Sequence, residues 1–219
     1  MRQKLQRFQE NAQRKNTLEP GKDIYEEIKG NWNSVQFKND NEIVLELGCG
    51  RGEYTVGLAP LHKDKNFIGV DIKGDRIWVG AGQAIEQNLD NVAFLRTQIQ
   101  FLDKFFEPEE VSEIWITFPD PRPKDRDEKL RLTHHRYLDL YKKVLKPGGI
   151  INFKTDNTPL FEYTLEVLNS RKDADLLDYT FNLYEESKLL DIQKGIKTNF
   201  ERKFHSKGED IKFMRFSLN

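Results

Sequence analysis

Residues 42–53 read Glu42-Ile43-Val44-Leu45-Glu46-Leu47-Gly48-Cys49-Gly50-Arg51-Gly52-Glu53, a run that few folds accept. The apolar segment 43–47 has the length and make-up of a strand buried on both faces. Glycines follow at alternate positions, Gly48, Gly50 and Gly52, and then Tyr54, Leu58 and Leu61 recur at helical spacing. Strand, tight glycine turn and helix make a nucleotide cradle. Glycine lets the backbone turn sharply and come close to a ligand, and the first N–H groups of the helix face any anion placed there. The plainer alternative is an ordinary strand-to-helix turn with a solvated glutamate.

Two details separate this turn from a dinucleotide fingerprint. The spacing is GxGxG rather than GxGxxG, and a carboxylate, Glu46, precedes the first glycine. That charge repels a pyrophosphate and attracts an ammonium. S-adenosylmethionine (SAM) carries an α-ammonium, a carboxylate and a sulfonium, and so fits. A second buried strand, 66–71, ends in Asp71, roughly twenty residues on, where an acid can accept hydrogen bonds from ribose hydroxyls. After a third strand, 92–95, Gln98 faces the same edge, either bonding an adenine amino group or standing as a surface turn residue.

The remaining pattern predicts a helix over 74–88, a fourth strand over 112–118 and a long amphipathic helix over 128–145. A fifth strand follows at 150–154, then a helix over 158–170 capped by Thr158. A sixth strand is expected at 179–184, a basic loop at 197–207 and a final strand at 211–218. Alternating strands and helices predict a doubly wound α/β sheet with ligands at the carboxyl edges of the strands. Residues 1–35 read as a basic, partly helical arm carrying Arg2, Lys4, Arg7, Arg14 and Lys15, and 36–219 as the main domain.

The formal net charge is −1, so a polyanion site must come from local clustering. No apolar run reaches the length of a membrane span, and the polar N-terminus lacks a signal-like apolar segment. The single cysteine, Cys49, cannot form an internal disulfide, which fits a cytoplasmic location. A buried spacer is its expected role, in preference to a nucleophile. His134 and His135 have no partners at metal spacing, so no metal is expected.

The most specific stretch is Phe118-Pro119-Asp120-Pro121-Arg122-Pro123-Lys124, where three alternating prolines fix the backbone and present Asp120 stiffly. Lys124, Arg126, Lys129 and Arg131 follow as a basic patch diluted by acids. With the glycine turn, Phe67-Ile68-Gly69-Val70-Asp71, Phe153-Lys154-Thr155-Asp156-Asn157 and Thr198-Asn199-Phe200-Glu201-Arg202-Lys203-Phe204, the chain resembles the TrmB family, bacterial tRNA (guanine-N7-)-methyltransferases. The resemblance covers residues 40–218.

It implies a class I SAM-dependent methyltransferase fold: Rossmann-like, mostly parallel, seven-stranded, with a late antiparallel strand. It implies that Glu46, Gly48, Gly50, Asp71, Gln98 and Asp120 contact SAM, with Asp120 the active-site acid. It implies that Lys124, Asp156, Thr198, Asn199, Phe200 and Glu201 contact tRNA or its target guanine, in the variable loop. No obligate protein partner is expected, and the chain would act as a monomer or homodimer. Where the family usually carries tryptophan this chain has Arg122, its arginines are sparser around Arg126, Asp127 and Leu130, and Gln98 stands at an acidic position. Other readings are a methyltransferase of another RNA or a small molecule, a nucleotide-dependent oxidoreductase, and a non-catalytic RNA-binding protein.

Overall fold

The computed structural model describes residues 2–219, with side chains from residue 5 onward. The expected cationic side chains of Arg2 and Lys4 lie outside the described residues. Strands β1 (Thr17–Leu18), β2 (Glu42–Leu47), β3 (Lys65–Asp71), β4 (Val92–Arg96), β5 (Val111–Thr117), β6 (Leu145–Thr155), β7 (Ala174–Thr180) and β8 (Lys212–Leu218) form one sheet. Its order is β1-β4-β3-β2-β5-β6-β8-β7, with β8 antiparallel to both neighbours and the other pairs parallel.

The central strands are near-continuous apolar runs because helices cover both faces. Ile43, Leu45, Ile68, Val70, Ile114 and Ile116 face one core layer, and Val44, Phe67, Phe94, Trp115 and Phe213 face the other. The chain steps from β2 outward to β3 and β4, then returns to the other side of β2 to lay down β5. The loops after β2 and β5 therefore diverge, and such a reversal opens a crevice at the carboxyl edge.

The eighth strand comes from Thr17–Leu18, which pairs with Phe94 and Leu95 at the edge. Two residues carry no periodicity to read. The segment before it, helix α1 (Arg2–Gln13), lies against helix α4 (Gly74–Glu86), which follows α2 (Asp23–Glu27) and α3 (Glu53–Leu58) in the chain; Asn11 Nδ2 donates to the Gly74 carbonyl at 2.8 Å. Leu18, Ile28 and Trp32 are fully buried in the main core.

Four expectations on the sequence need correction. The helix expected over 128–145 is broken: a 3-10 stretch, Asp125–Leu130, precedes helix α5 at His135–Val144. Thr133 is drawn inward by a hydrogen bond from Thr164 Oγ1 (2.8 Å), and His134 caps α5 by accepting from the Arg136 amide. Helix α6 (Thr158–Asn169) is capped by Asn157, not Thr158, through the Leu160 amide at 2.9 Å. The strand expected at 179–184 is Ala174–Thr180, an edge strand whose half-buried positions, Ala174, Leu176, Asp178 and Thr180, are too mixed to signal a face. The basic loop at 197–207 is helix α8, Asn199–His205, which follows α7 (Ser187–Ile192).

Candidate active site

The glycine turn joins β2 to helix α3 (Glu53–Leu58) and folds over the end of β3, where the amides of Gly48 and Cys49 both donate to the Val70 carbonyl. Two of its glycines are required for different reasons. Gly50 has φ +56, and a side chain there would meet nothing within 4 Å, so this side of the turn is open. Gly52 has φ +72, and a Cβ would stand 2.6 Å from the Phe94 ring. Cys49 is buried in the same layer, where burial pushes its thiol well above the ordinary range. It is a spacer.

Asp71 closes the turn from the neighbouring strand. Its Oδ2 accepts from the Gly50 amide at 2.9 Å and its Oδ1 from the Lys73 amide at 2.8 Å. A carboxylate has about four acceptor sites, so capacity remains for hydroxyl donors on the open side. Gln98 lies beside it, exposed, its Oε1 taking a hydrogen bond from Gln100 Nε2 at 2.9 Å. The two loops touch through the Thr97 amide and the Asp71 carbonyl, 3.2 Å apart.

Glu46 lies under the turn, 3% exposed. Its Oε2 accepts from the Thr55 amide (2.8 Å) and hydroxyl (2.6 Å) at the start of α3, and its Oε1 approaches Thr117 Oγ1 at 3.5 Å. Burial pushes its carboxyl up to about 7, against the hydrogen bonds from Thr55. Glu46 thus lies at the floor of the cradle, not at its rim.

On the other side of the crevice, Phe118 and Arg122 bracket Asp120 with φ of 50 and 47. Left-handed backbone at two non-glycine residues stores strain that the surrounding structure must hold. The Phe118 amide is anchored to the Lys154 carbonyl at 2.8 Å, and Arg131 holds the Arg122 carbonyl with two donors at 3.2 Å. Asp120 is presented outward, its side chain 63% exposed, with Arg122 Nε at 3.2 Å. Lys124 is exposed beyond it. Asp156, at the end of β6, is half-buried, and burial raises its carboxyl above the usual range.

The late motif divides. Thr198 and Glu201 turn inward as a reciprocal capping box, while Asn199 and Phe200 face outward. Glu201 pairs with Lys154 in the core at 2.8 Å. Burial pushes the Lys154 ammonium down to about 8, partly offset by Glu201. Two signals for this were present in the sequence: Thr-x-x-Glu is a capping-box pattern, and Lys154 interrupts an apolar strand. The partners Tyr54, Tyr184 and Gln193 carried none. Among the described residues no group of three or more His, Cys, Asp or Glu is placed to hold a metal, and no helix is long and apolar enough to cross a membrane.

A glycine cradle closed by an acid at the end of the neighbouring strand, at the switch point of a doubly wound sheet with a reversed last strand, defines a class I methyltransferase. An antibiotic-related methyltransferase of solved structure shares this fold, with a TM-score of 0.59, 18% identity and coverage of 85% of this chain and 92% of that one. The family model described as "Putative methyltransferase" matches residues 40–214. The tRNA (guanine-N(7)-)-methyltransferase of Cytophaga hutchinsonii is 47% identical over 219 residues, covering 99% of this chain and 98% of the relative. That of Christiangramia forsetii is 46% identical, covering 98% and 97%. The chain belongs to this family of tRNA (guanine-N7-)-methyltransferases, the TrmB family.

Proposed function

We propose that this chain transfers the methyl group of SAM to N7 of a guanine in tRNA. The observation that carries this reading is the pairing, across one crevice, of the Gly48–Gly52 cradle with the strained, outward Asp120 loop. The cradle fits the cofactor: Gly50 leaves open space, Asp71 keeps acceptor capacity for ribose hydroxyls, and Glu46 beneath the turn can ionise when an ammonium is seated over it.

When bound, SAM supplies an electrophilic methyl group on a sulfonium. Guanine N7 has an in-plane lone pair and no proton, so no general base is needed to make it a nucleophile. The chain's task is to bring the two reactants to a near-attack distance, roughly 3–3.5 Å, and in line. Positive charge passes from sulfur to the base during transfer. A fixed anion beside that path stabilises it without reorganising, and Asp120, on its proline-bound loop, would be that anion. Lys124, exposed four residues on, is a cation suited to a phosphate or a guanine acceptor. Asp156, Asn199 and Phe200 would complete the base-holding side, with Phe200 offering a stacking face. Gln98 would face the adenine.

The test is transfer of labelled methyl from SAM to unmodified tRNA, followed by nucleoside identification. The expected product is 7-methylguanosine, located in the variable loop. Label on another base alone would reject the N7 assignment, and absence of transfer to any RNA would reject the substrate. A cytoplasmic location follows from the same reading.

A further inference from the structure

Lys154 and Glu201 form an ion pair whose side chains are 0% and 1% exposed. Removing two charges from water is costly, and such a pair persists only where further hydrogen bonds complete it. Here they do. Lys154 Nζ also donates to Tyr54 Oη at 2.9 Å and Gln193 Oε1 at 3.3 Å, and Tyr54 Oη donates to Gln193 Oε1 at 2.7 Å. Tyr184 Oη donates to Glu201 Oε1 at 2.9 Å.

Three of the segments joined here converge on the site. Tyr54 is the second residue of α3, directly after the glycine turn. The Lys154 carbonyl holds the Phe118 amide at the root of the Asp120 loop. Glu201 closes the capping box of α8, and from the same turn Asn199 donates to Glu53 Oε1 through its amide (3.3 Å) and its Nδ2 (2.9 Å). Helix α8 has only seven residues, too few to be stable alone. Its placement must therefore come from what it is fastened to. In its last turn Phe204 packs on the core and His205 stacks on Tyr184 at 4.0 Å. In its first turn the Asn199–Glu53 contact is exposed and therefore weak, and the buried pair is the stronger fastening.

We propose that Lys154 is a positioning residue: through Glu201 it fixes the first turn of α8 against the sheet, so that Asn199, and Phe200 after it, stand beside the glycine turn at the mouth of the site. This rests on the site reading given above. Lys154 itself touches no substrate, because it has no exposed surface. Glu201 acts from inside, orienting its outward neighbours.

The experiment compares Lys154→Met, Glu201→Gln and Phe200→Ala in the full chain. It measures kcat and KM for tRNA, SAM affinity by calorimetry, and hydrogen exchange of the backbone amides. Lys154→Met should raise the KM for tRNA at least tenfold, keep SAM affinity within about threefold, and speed exchange of amides 199–206 at least tenfold while β2–β5 stay protected. Glu201→Gln keeps shape and hydrogen bonding and loses the charge; it should move the same quantities the same way by a smaller factor. Phe200→Ala should raise KM without changing exchange. Unchanged exchange at 199–206 in both Lys154→Met and Glu201→Gln would overturn the proposal. So would equal loss of SAM and tRNA binding with exchange rising throughout the sheet, which marks a general structural role. Should Lys154→Met fail to fold, Glu201→Gln decides the same question. The exchange measurement needs no substrate, so a failure of the tRNA reading would leave it interpretable.

Discussion

Glu46 shows how a single buried carboxyl ties folding stability to pH. Its carboxyl is moved from the ordinary 4.5 to about 7, with burial the largest cause. Between those values the folded chain keeps a proton that the unfolded chain has released. Folding stability therefore falls from this group as pH rises from about 4.5 to about 7, by on the order of 3 kcal/mol in total. Urea denaturation across that range should show this loss in the wild type relative to Glu46→Gln, which has no such proton. A cation seated over the turn favours the ionised form. SAM binding near pH 7 should thus release a proton, read as a buffer-dependent heat in calorimetry; identical heats in buffers of different ionisation enthalpy would contradict it. Asp120 and Lys124 share a loop but should fail differently. Asp120→Asn removes a preorganised anion and should lower kcat on the order of 10²-fold. Lys124→Ala should raise the KM for tRNA and leave SAM affinity unchanged. A full-turnover Asp120→Asn would remove Asp120 from the chemistry.

At the level of elements, the site depends on how closely the turn, β3 and α4 approach one another. Phe94 fills the space left by three missing side chains: a Cβ at Gly52, Gly69 or Gly80 would lie 2.6 or 2.7 Å from its ring. At Gly80 a Cβ would also stand 2.4 Å from the Arg51 carbonyl oxygen, which belongs to the glycine turn itself. Backbone cannot yield as a flexible side chain can. Gly80→Ala should therefore push α4 away from the turn, costing about 1–3 kcal/mol in stability as an overpacked site does. SAM affinity should fall with it, measurable by calorimetry at a temperature where the variant is folded. The α4 helix gains intrinsic propensity from alanine, so a stabilised variant would show that α4 moves freely against the turn.

For the whole molecule the formal net charge of −1 decides the form of RNA binding. Long-range attraction is weak, so contact must come from local cations such as Lys124, Arg126, Lys197, Arg202 and Lys203, which are exposed or half-exposed. Each neutralised phosphate adds to the salt dependence through counterion release. Affinity for tRNA should drop steeply between about 50 and 200 mM salt, and Lys124→Ala should reduce the logarithmic slope by about one. A flat salt response would rule out phosphate contacts as the main source of affinity.

The strand-turn-helix at 42–58 and the alternation of apolar strands and amphipathic helices were legible because each is written in local periodicity and in glycines that only a close backbone approach explains. The same holds for the proline-fixed Asp120 loop, where φ is restricted by covalent structure. The short edge strand Thr17–Leu18 was not legible, since its existence depends on Phe94 and Leu95 lying alongside. Nor was the break before α5, which follows from Thr133 bonding Thr164, 31 residues away. The inward turn of Thr198 and Glu201 was legible only in part, as a Thr-x-x-Glu capping spacing. A lysine in a strand and a glutamate in a basic segment do not announce each other when read one by one. Only when β6 and α8 are brought together do they become a buried pair, because desolvation and pairing depend on neighbours that local sequence does not supply.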